Sequence, residues 1–128
     1  MRKEPRAVRA YFAHLRRASR HRFPEKGQPL LSPPRHGVYL IVDPAGRVAH
    51  VGRTTRARAG LLQRLRAHLA GRSSFVILFL RHRASRLRRG YSYSWVEIAN
   101  PRLRALVEAY ATGVLCPRHI GTGDATAT

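Results

Sequence analysis

The sequence predicts an α+β domain, a small antiparallel sheet with helices packed against it. Three observations predict it. Two short runs, Tyr39-Leu40-Ile41-Val42 and Arg47-Val48-Ala49-His50-Val51, flank Asp43-Pro44-Ala45-Gly46 and read as a hairpin. The leucines of the stretch from Leu61 to Leu69 recur at helical spacing. Asn100-Pro101 then opens a second helical pattern, with Asn as N-cap and Pro in the first turn.

In chain order, residues 1–34 read as a basic arm. Val8, Tyr11, Phe12 and Leu15 fall at i, i+3, i+4 and i+7, the spacing of a short amphipathic helix. Its other face carries Arg6, Arg9, Arg16, Arg17 and Arg20, which suits either a nucleic-acid contact or a packed helix with a solvated face. Phe23 to Pro29 and Ser32-Pro33-Pro34 are turn and linker material, so the compact core, 35–121, is expected to begin near Arg35. The hairpin follows, then a basic loop, then the leucine helix, for which Gly71 is a plausible C-cap. The continuous apolar run Phe75-Val76-Ile77-Leu78-Phe79-Leu80 has strand length and is expected to be a central buried strand. A basic stretch from Arg81 leads to Ser92–Ile98, which alternates and reads as a further strand. Of the nearby aromatics, Tyr91 and Tyr93 suit base stacking or the core, and Trp95 is assigned to the core. The late helix is expected over about Arg102 to Leu115, with Leu103, Leu106, Val107, Tyr110 and Val114 as its apolar stripe and Pro117 ending it. Residues 122–128 are small and polar, and are expected to be a disordered tail.

Charge narrows the function. The chain has 25 Lys+Arg against 6 Asp+Glu, a formal net charge of +19, and such a surface seeks polyanions. Nucleic acid, most of all DNA, is the first expected partner. Nearly every cation is arginine, which fits phosphate recognition or a GC-rich genome equally well. No apolar run approaches bilayer-spanning length. No apolar segment follows the basic N-terminus, so a cytoplasmic location of bacterial type is expected. One cysteine, Cys116, excludes an internal disulfide and a cysteine-rich zinc site.

Acids are scarce enough to take singly. Only Glu97 and Glu108 fall within expected core elements, too few for a paired-carboxylate hydrolase or a two-metal cluster. A hard cation would have to be held by one carboxylate, with water and substrate phosphate completing its shell, and Mg²⁺ accepts that arrangement. Glu108 is the better ligand by position, although Arg104 at i−4 also suits an ordinary ion pair. Arg64 and His68, at i and i+4, share one side of the leucine helix. Arginine is a natural clamp for phosphate oxygens, and histidine can donate to phosphate or move a proton. A solvated basic face explains the same pair. Tyr39 and His50 lie on adjacent hairpin strands, and whether they share a face depends on register. A tyrosine beside cations can accept a proton.

Together these residues resemble the GIY-YIG nuclease family. Gly37-Val38-Tyr39 stands at the first motif and His50-Val51-Gly52 at the second, with ten residues between Tyr39 and His50. Arg64 with His68 matches the family's arginine helix, and Glu108, before a late proline, matches its metal-binding glutamate. The resemblance covers Gly37 to about Gly121. It implies a mixed α/β domain on a central three-stranded antiparallel sheet, and phosphodiester hydrolysis with one Mg²⁺ or Mn²⁺ ion. By position, Tyr39 would be the general base, Arg64 would steady the phosphate and Glu108 would hold the metal, with His50 and His68 as further catalytic histidines. Arg53 stands where many members have a lysine that touches phosphate. Arg56, Arg58, Arg81, Arg83, Arg86, Arg88 and Arg89 would supply further nucleic-acid contacts.

Three positions depart from the family pattern. His50 replaces a tyrosine, Val38 replaces an isoleucine, and Ile120 stands where an asparagine usually braces the site, with His119 beside it. The expectation is therefore a stand-alone metal-dependent endonuclease. The alternatives are a catalytically weak nucleic-acid-binding module of the same fold, and a small basic structural protein.

Overall fold

The computed structural model describes residues 3–56 and 58–121. The expected tail at 122–128 lies outside them. The elements are α1 (Lys3–Arg17), β1 (His21–Arg22), β2 (Gly37–Val42), β3 (Val48–Arg53), α2 (Gly60–Leu69), β4 (Ser92–Glu97) and α3 (Pro101–Leu115). All strand pairs are antiparallel, in the order β1-β4-β2-β3. Three six-residue strands make up most of the sheet, as expected, and the two-residue β1 adds a fourth at the edge.

Strand β2 is buried at every position because helices cover both faces of the sheet. Tyr39 and Ile41 face a core shared with Leu61 and Leu65 of α2. Val38, Leu40 and Val42 face a second core built with α1 and α3. The hairpin turn is tied by Asp43, whose side chain accepts from the Ala45 and Arg47 amides, each at 2.9 Å. The pairing slips by one residue between Ile41, opposite His50, and Val42, opposite Val48. Ala49 is the extra residue, and this bulge sets how β3 presents His50.

The apolar run from Phe75 is not a strand. Phe75–Phe79 forms a π-helical turn, in which the Leu80 amide bonds the Phe75 carbonyl. Phe75, Val76 and Leu80 enter the core while Leu78 stays 57% exposed, so the run is buried on one side only. An apolar hexapeptide carries no periodicity that separates strand from helix. The Ser73 hydroxyl decides for helix here by accepting the Val76 amide. A 3₁₀ turn over Ala84–Arg88 follows and anchors Leu87 in the same core.

Helix α3 begins as expected, with the Asn100 side chain accepting from the Leu103 amide at 3.0 Å. Its buried face differs from the expected stripe. Arg104, Val107 and Ala111 are buried, whereas Tyr110 and Val114 are exposed at 39% and 48%. The stripe is turned because Arg104 donates to the carbonyls of Ile98 and Ala99 beneath the helix. The arm contributes directly to this core. Val8, Phe12 and Leu15 pack with Val107 and Ala111, Phe23 joins the opposite core, and β1 pairs with β4. Leu15 is 1% exposed. Leu15→Ala is expected to cost about 2–5 kcal/mol in thermal or denaturant unfolding. A detached arm would leave the midpoint unchanged.

Candidate active site

Two glycines bring the site together. A Cβ at Gly37 would lie 2.1 Å from the Val96 carbonyl oxygen, so only glycine lets β2 start against β4. A Cβ at Gly52 would lie 2.4 Å from both Cζ and Oη of Tyr39. Gly52 pairs directly with Tyr39 across the ladder, and the tyrosine ring lies over the space its missing side chain leaves. The same register puts Tyr39 and His50 on one face, the question the sequence left open. Their rings are 6.0 Å apart between centroids.

A cleft of about 450 Å³ opens on this face, lined among others by His50, Arg53, Arg64, Ser74, Glu108 and His119. Three of the candidate catalytic residues, His50, Arg64 and Glu108, thus converge on one cavity from β3, α2 and α3. Tyr39 and His68 stand behind the wall, each 0% exposed. The Tyr39 hydroxyl meets His68 Nε2 at 2.6 Å, and His68 Nδ1 meets Ser73 Oγ at 2.7 Å. Gly52, against which Tyr39 Oη rests, itself lines the cleft.

Burial governs the ionisation of the group. It raises the Tyr39 phenol above its usual range, against the pull of the Arg64 charge. Nearby cations therefore do not make a resting phenolate, contrary to the simple expectation from sequence. Burial lowers His50 to about 3, with the neighbouring His119 and Arg64 acting in the same sense. It also holds His68 well below the usual imidazole range, so both rings are neutral. Glu108 is raised by desolvation, which Arg53 and Arg64 partly offset.

Glu108 does not pair with Arg104. Its Oε1 accepts from the Arg53 guanidinium at 2.6 Å, a contact between residues 55 positions apart. Ser73 escaped the sequence reading, and His119 entered it only as the neighbour of Ile120. Ser73 holds the back of His68, and its only local signal is its place between a helix end and an apolar run. His119 is carried into the cleft by the segment after α3, where the Arg118 and His119 amides bond the Val48 and Ala49 carbonyls at 3.1 and 2.9 Å. Its ring lies 5.7 Å from that of His50. Ile120, at the position of the missing asparagine, is 66% exposed.

No protein-family model matches the chain. No curated protein matches it. Among solved structures it is similar to the GIY-YIG N-terminal endonuclease domain of UvrC from Thermotoga maritima, a point mutant bound to its catalytic divalent cation. The likeness has a TM-score of 0.51 at 20% identity and covers 69% of this chain and 84% of that one. The fold is GIY-YIG-like.

Within this GIY-YIG-like frame, the candidate nucleic-acid residues fall in three places. Arg53 is in the cleft, with Arg56 beside it around a shallow neighbouring hollow, and Arg58 is exposed in the loop before α2. Arg83, Arg86 and Arg89 converge on a separate hollow with Tyr91 and Pro44, near the hairpin turn. Arg81 is exposed in a left-handed turn, and Arg88 donates to the Pro24 carbonyl. Tyr93 is buried, and half-buried Trp95 stacks with His21 at 4.9 Å, so neither is free to stack on a base. Among the described residues, no helix is long and apolar enough to cross a membrane.

The buried imidazoles predict acid sensitivity. The unfolded chain binds a proton that folded His50 refuses between its ordinary 6.5 and about 3. Stability is therefore full above that window and lost as pH falls through it. His50 alone should cost about 2 kcal/mol by about pH 5. Unfolding midpoints measured across that range should fall with acid, and should fall less in His50→Asn.

Proposed function

We propose that the protein is a divalent-metal-dependent endonuclease that hydrolyses phosphodiester bonds in DNA. The observation that carries this is the meeting of His50, Arg64 and Glu108 in one cleft, with Tyr39 immediately behind Gly52. The GIY-YIG-like fold and the +19 charge support the same reading. The endonuclease description of the similar UvrC domain agrees with it.

Among the described residues, no three metal-ligating side chains cluster. Among those residues Glu108 is the one carboxylate lining the polar cleft, its side chain 26% exposed. That fits a hard cation with water and phosphate as its other ligands, which is how Mg²⁺ or Mn²⁺ binds. When bound, such an ion neutralises charge on the attacked phosphate and the leaving oxygen.

The chain's own residues supply the rest. Arg64 donates to the phosphate oxygens and never loses its charge. Tyr39, held by His68, takes the proton of the attacking water. Its resting phenol must first lose its own proton, and the group in contact with the hydroxyl is the neutral imidazole of His68, 2.6 Å away at Nε2. Arg53 shifts from Glu108 to phosphate as substrate arrives. Arg83, Arg86 and Arg89, with Arg81, Arg88, Arg56 and Arg58, extend the cationic surface along the backbone.

A binding module without cleavage is the second reading. The Arg53–Glu108 bridge favours it, since it occupies an oxygen of the cleft's carboxylate. Plasmid nicking separates the two. Nicking with Mg²⁺ or Mn²⁺ that EDTA abolishes supports the nuclease. Salt-sensitive binding without nicking supports the module.

A further inference from the structure

We infer that the hollow walled by Arg83, Arg86 and Arg89 is a second phosphate-binding site, which grips the DNA backbone apart from the catalytic cleft. The inference rests on the reading of DNA as the substrate, and not on cleavage. It begins with the 3₁₀ turn. The amides of Arg83, Arg86 and Arg89 bond the carbonyls of Leu80, Arg83 and Arg86, each at 3.0 Å. Such a backbone advances three residues per turn, so side chains three apart stand one above the other. An α-helix would turn each about 60° from the last. One row, Ala84 and Leu87, packs into the core, with Leu87 fully buried. The row beside it, Arg83, Arg86 and Arg89, therefore stands together on the outside.

All three line a hollow of about 510 Å³ with Tyr91 and Pro44. Its shape is set by packing. Gly90, at φ +95°, lies against Pro44 of the hairpin turn, and a Cβ there would meet the Pro44 Cβ at 3.2 Å. The ion pairs of the described residues involve Arg35, Arg47, Arg53, Arg102 and Arg118, so no carboxylate among them neutralises the row. Guanidiniums offer forked donors that match phosphate oxygens. These are exposed, which favours a polymer that engages many cations at once over a lone ion in competition with water. The hollow and the cleft share no lining residue. Arg118 lies between them. It precedes His119 of the cleft, and its guanidinium is 3.5 Å from Asp43, the neighbour of Pro44. Asp43 also pairs with Arg47 at 3.1 Å, so two cations share one acid there and the rim between the sites stays positive.

Fluorescence anisotropy with a labelled DNA duplex, on the full-length protein in EDTA across a salt series, tests the site without cleavage. Arg86→Gln/Arg89→Gln is set beside Arg35→Gln/Arg66→Gln, which removes equal charge from exposed positions that line neither site. The first pair should weaken binding about 10–100-fold near about 0.1 M salt, and reduce the steepness of log Kd against log salt by about 1–2. The second should weaken it less than about 3-fold, through screened charge alone. Arginine Nε–Hε NMR signals give an independent readout. Those of Arg83, Arg86 and Arg89 should shift when the duplex saturates the wild type. Signals that stay still overturn the inference whether or not any variant folds. Equal losses in the two double variants also overturn it, and with nicking retained they leave the nuclease reading standing. Both expected results in a protein that never nicks count against the nuclease reading alone.

Discussion

Glu108→Gln should abolish metal-dependent nicking, by at least ~10²-fold, while leaving the protein folded. The two effects separate because they rest on different interactions. The carboxylate bridges Arg53 at the mouth of the cleft, where the side chains are 37% and 26% exposed. Losing such a partly solvated pair costs about 0–1 kcal/mol of stability. Among the described residues Glu108 is the only carboxylate that lines the cleft, so losing it removes the charge that would hold a divalent ion. Plasmid nicking beside an unfolding curve checks both halves. Arg53→Met is the control, because it breaks the same bridge and keeps the acid. It should still bind Mn²⁺, and its cleavage loss should appear mainly in KM. Nicking retained in Glu108→Gln would remove the residue from any metal role.

Gly52→Ala should be the most damaging small substitution in the sheet. The new methyl would sit 2.4 Å from Tyr39 Oη and Cζ, in a ring with no exposed surface and no room to retreat. Overpacking of this kind costs about 1–3 kcal/mol. The functional loss should be larger, on the order of 10²-fold, because the displaced ring leaves His68 and the cleft together. Gly113 in α3 provides the contrast. A Cβ there meets nothing within 4 Å, so Gly113→Ala should stabilise by up to about 1 kcal/mol and leave nicking unchanged. Equal tolerance at the two positions would mean that Tyr39 does not rest where the cleft wall places it.

The hairpin, α2 and the start of α3 were legible because each carries its own punctuation: Asp43-Pro44-Ala45-Gly46, a leucine period, and Asn100-Pro101. The run at Phe75–Leu80 was not, since its conformation depends on a hydroxyl two residues earlier. The late helix shows how one buried cation overrides a stripe of apolar letters. Arg104 is placed by carbonyls at its own N-terminus, which no hydropathy pattern reports. In the candidate site, motif order pointed to His50, Arg64 and Glu108, which the fold brings to one cleft, but two relations were not legible. The common face of Tyr39 and His50 follows from the ladder register. The partner of Glu108 is a strand arginine that only the folded chain brings near. Burial also reversed the simple electrostatic argument for Tyr39, because desolvation outweighs the adjacent guanidinium.

The segment after α3 has a consequence beyond carrying His119. By donating to the Val48 and Ala49 carbonyls, it covers part of the outer rim of β3, where unpaired carbonyls would otherwise invite another chain. At the opposite rim, β1 is only two residues long and is followed by prolines. The rim left free for strand addition is thereby shortened on both sides.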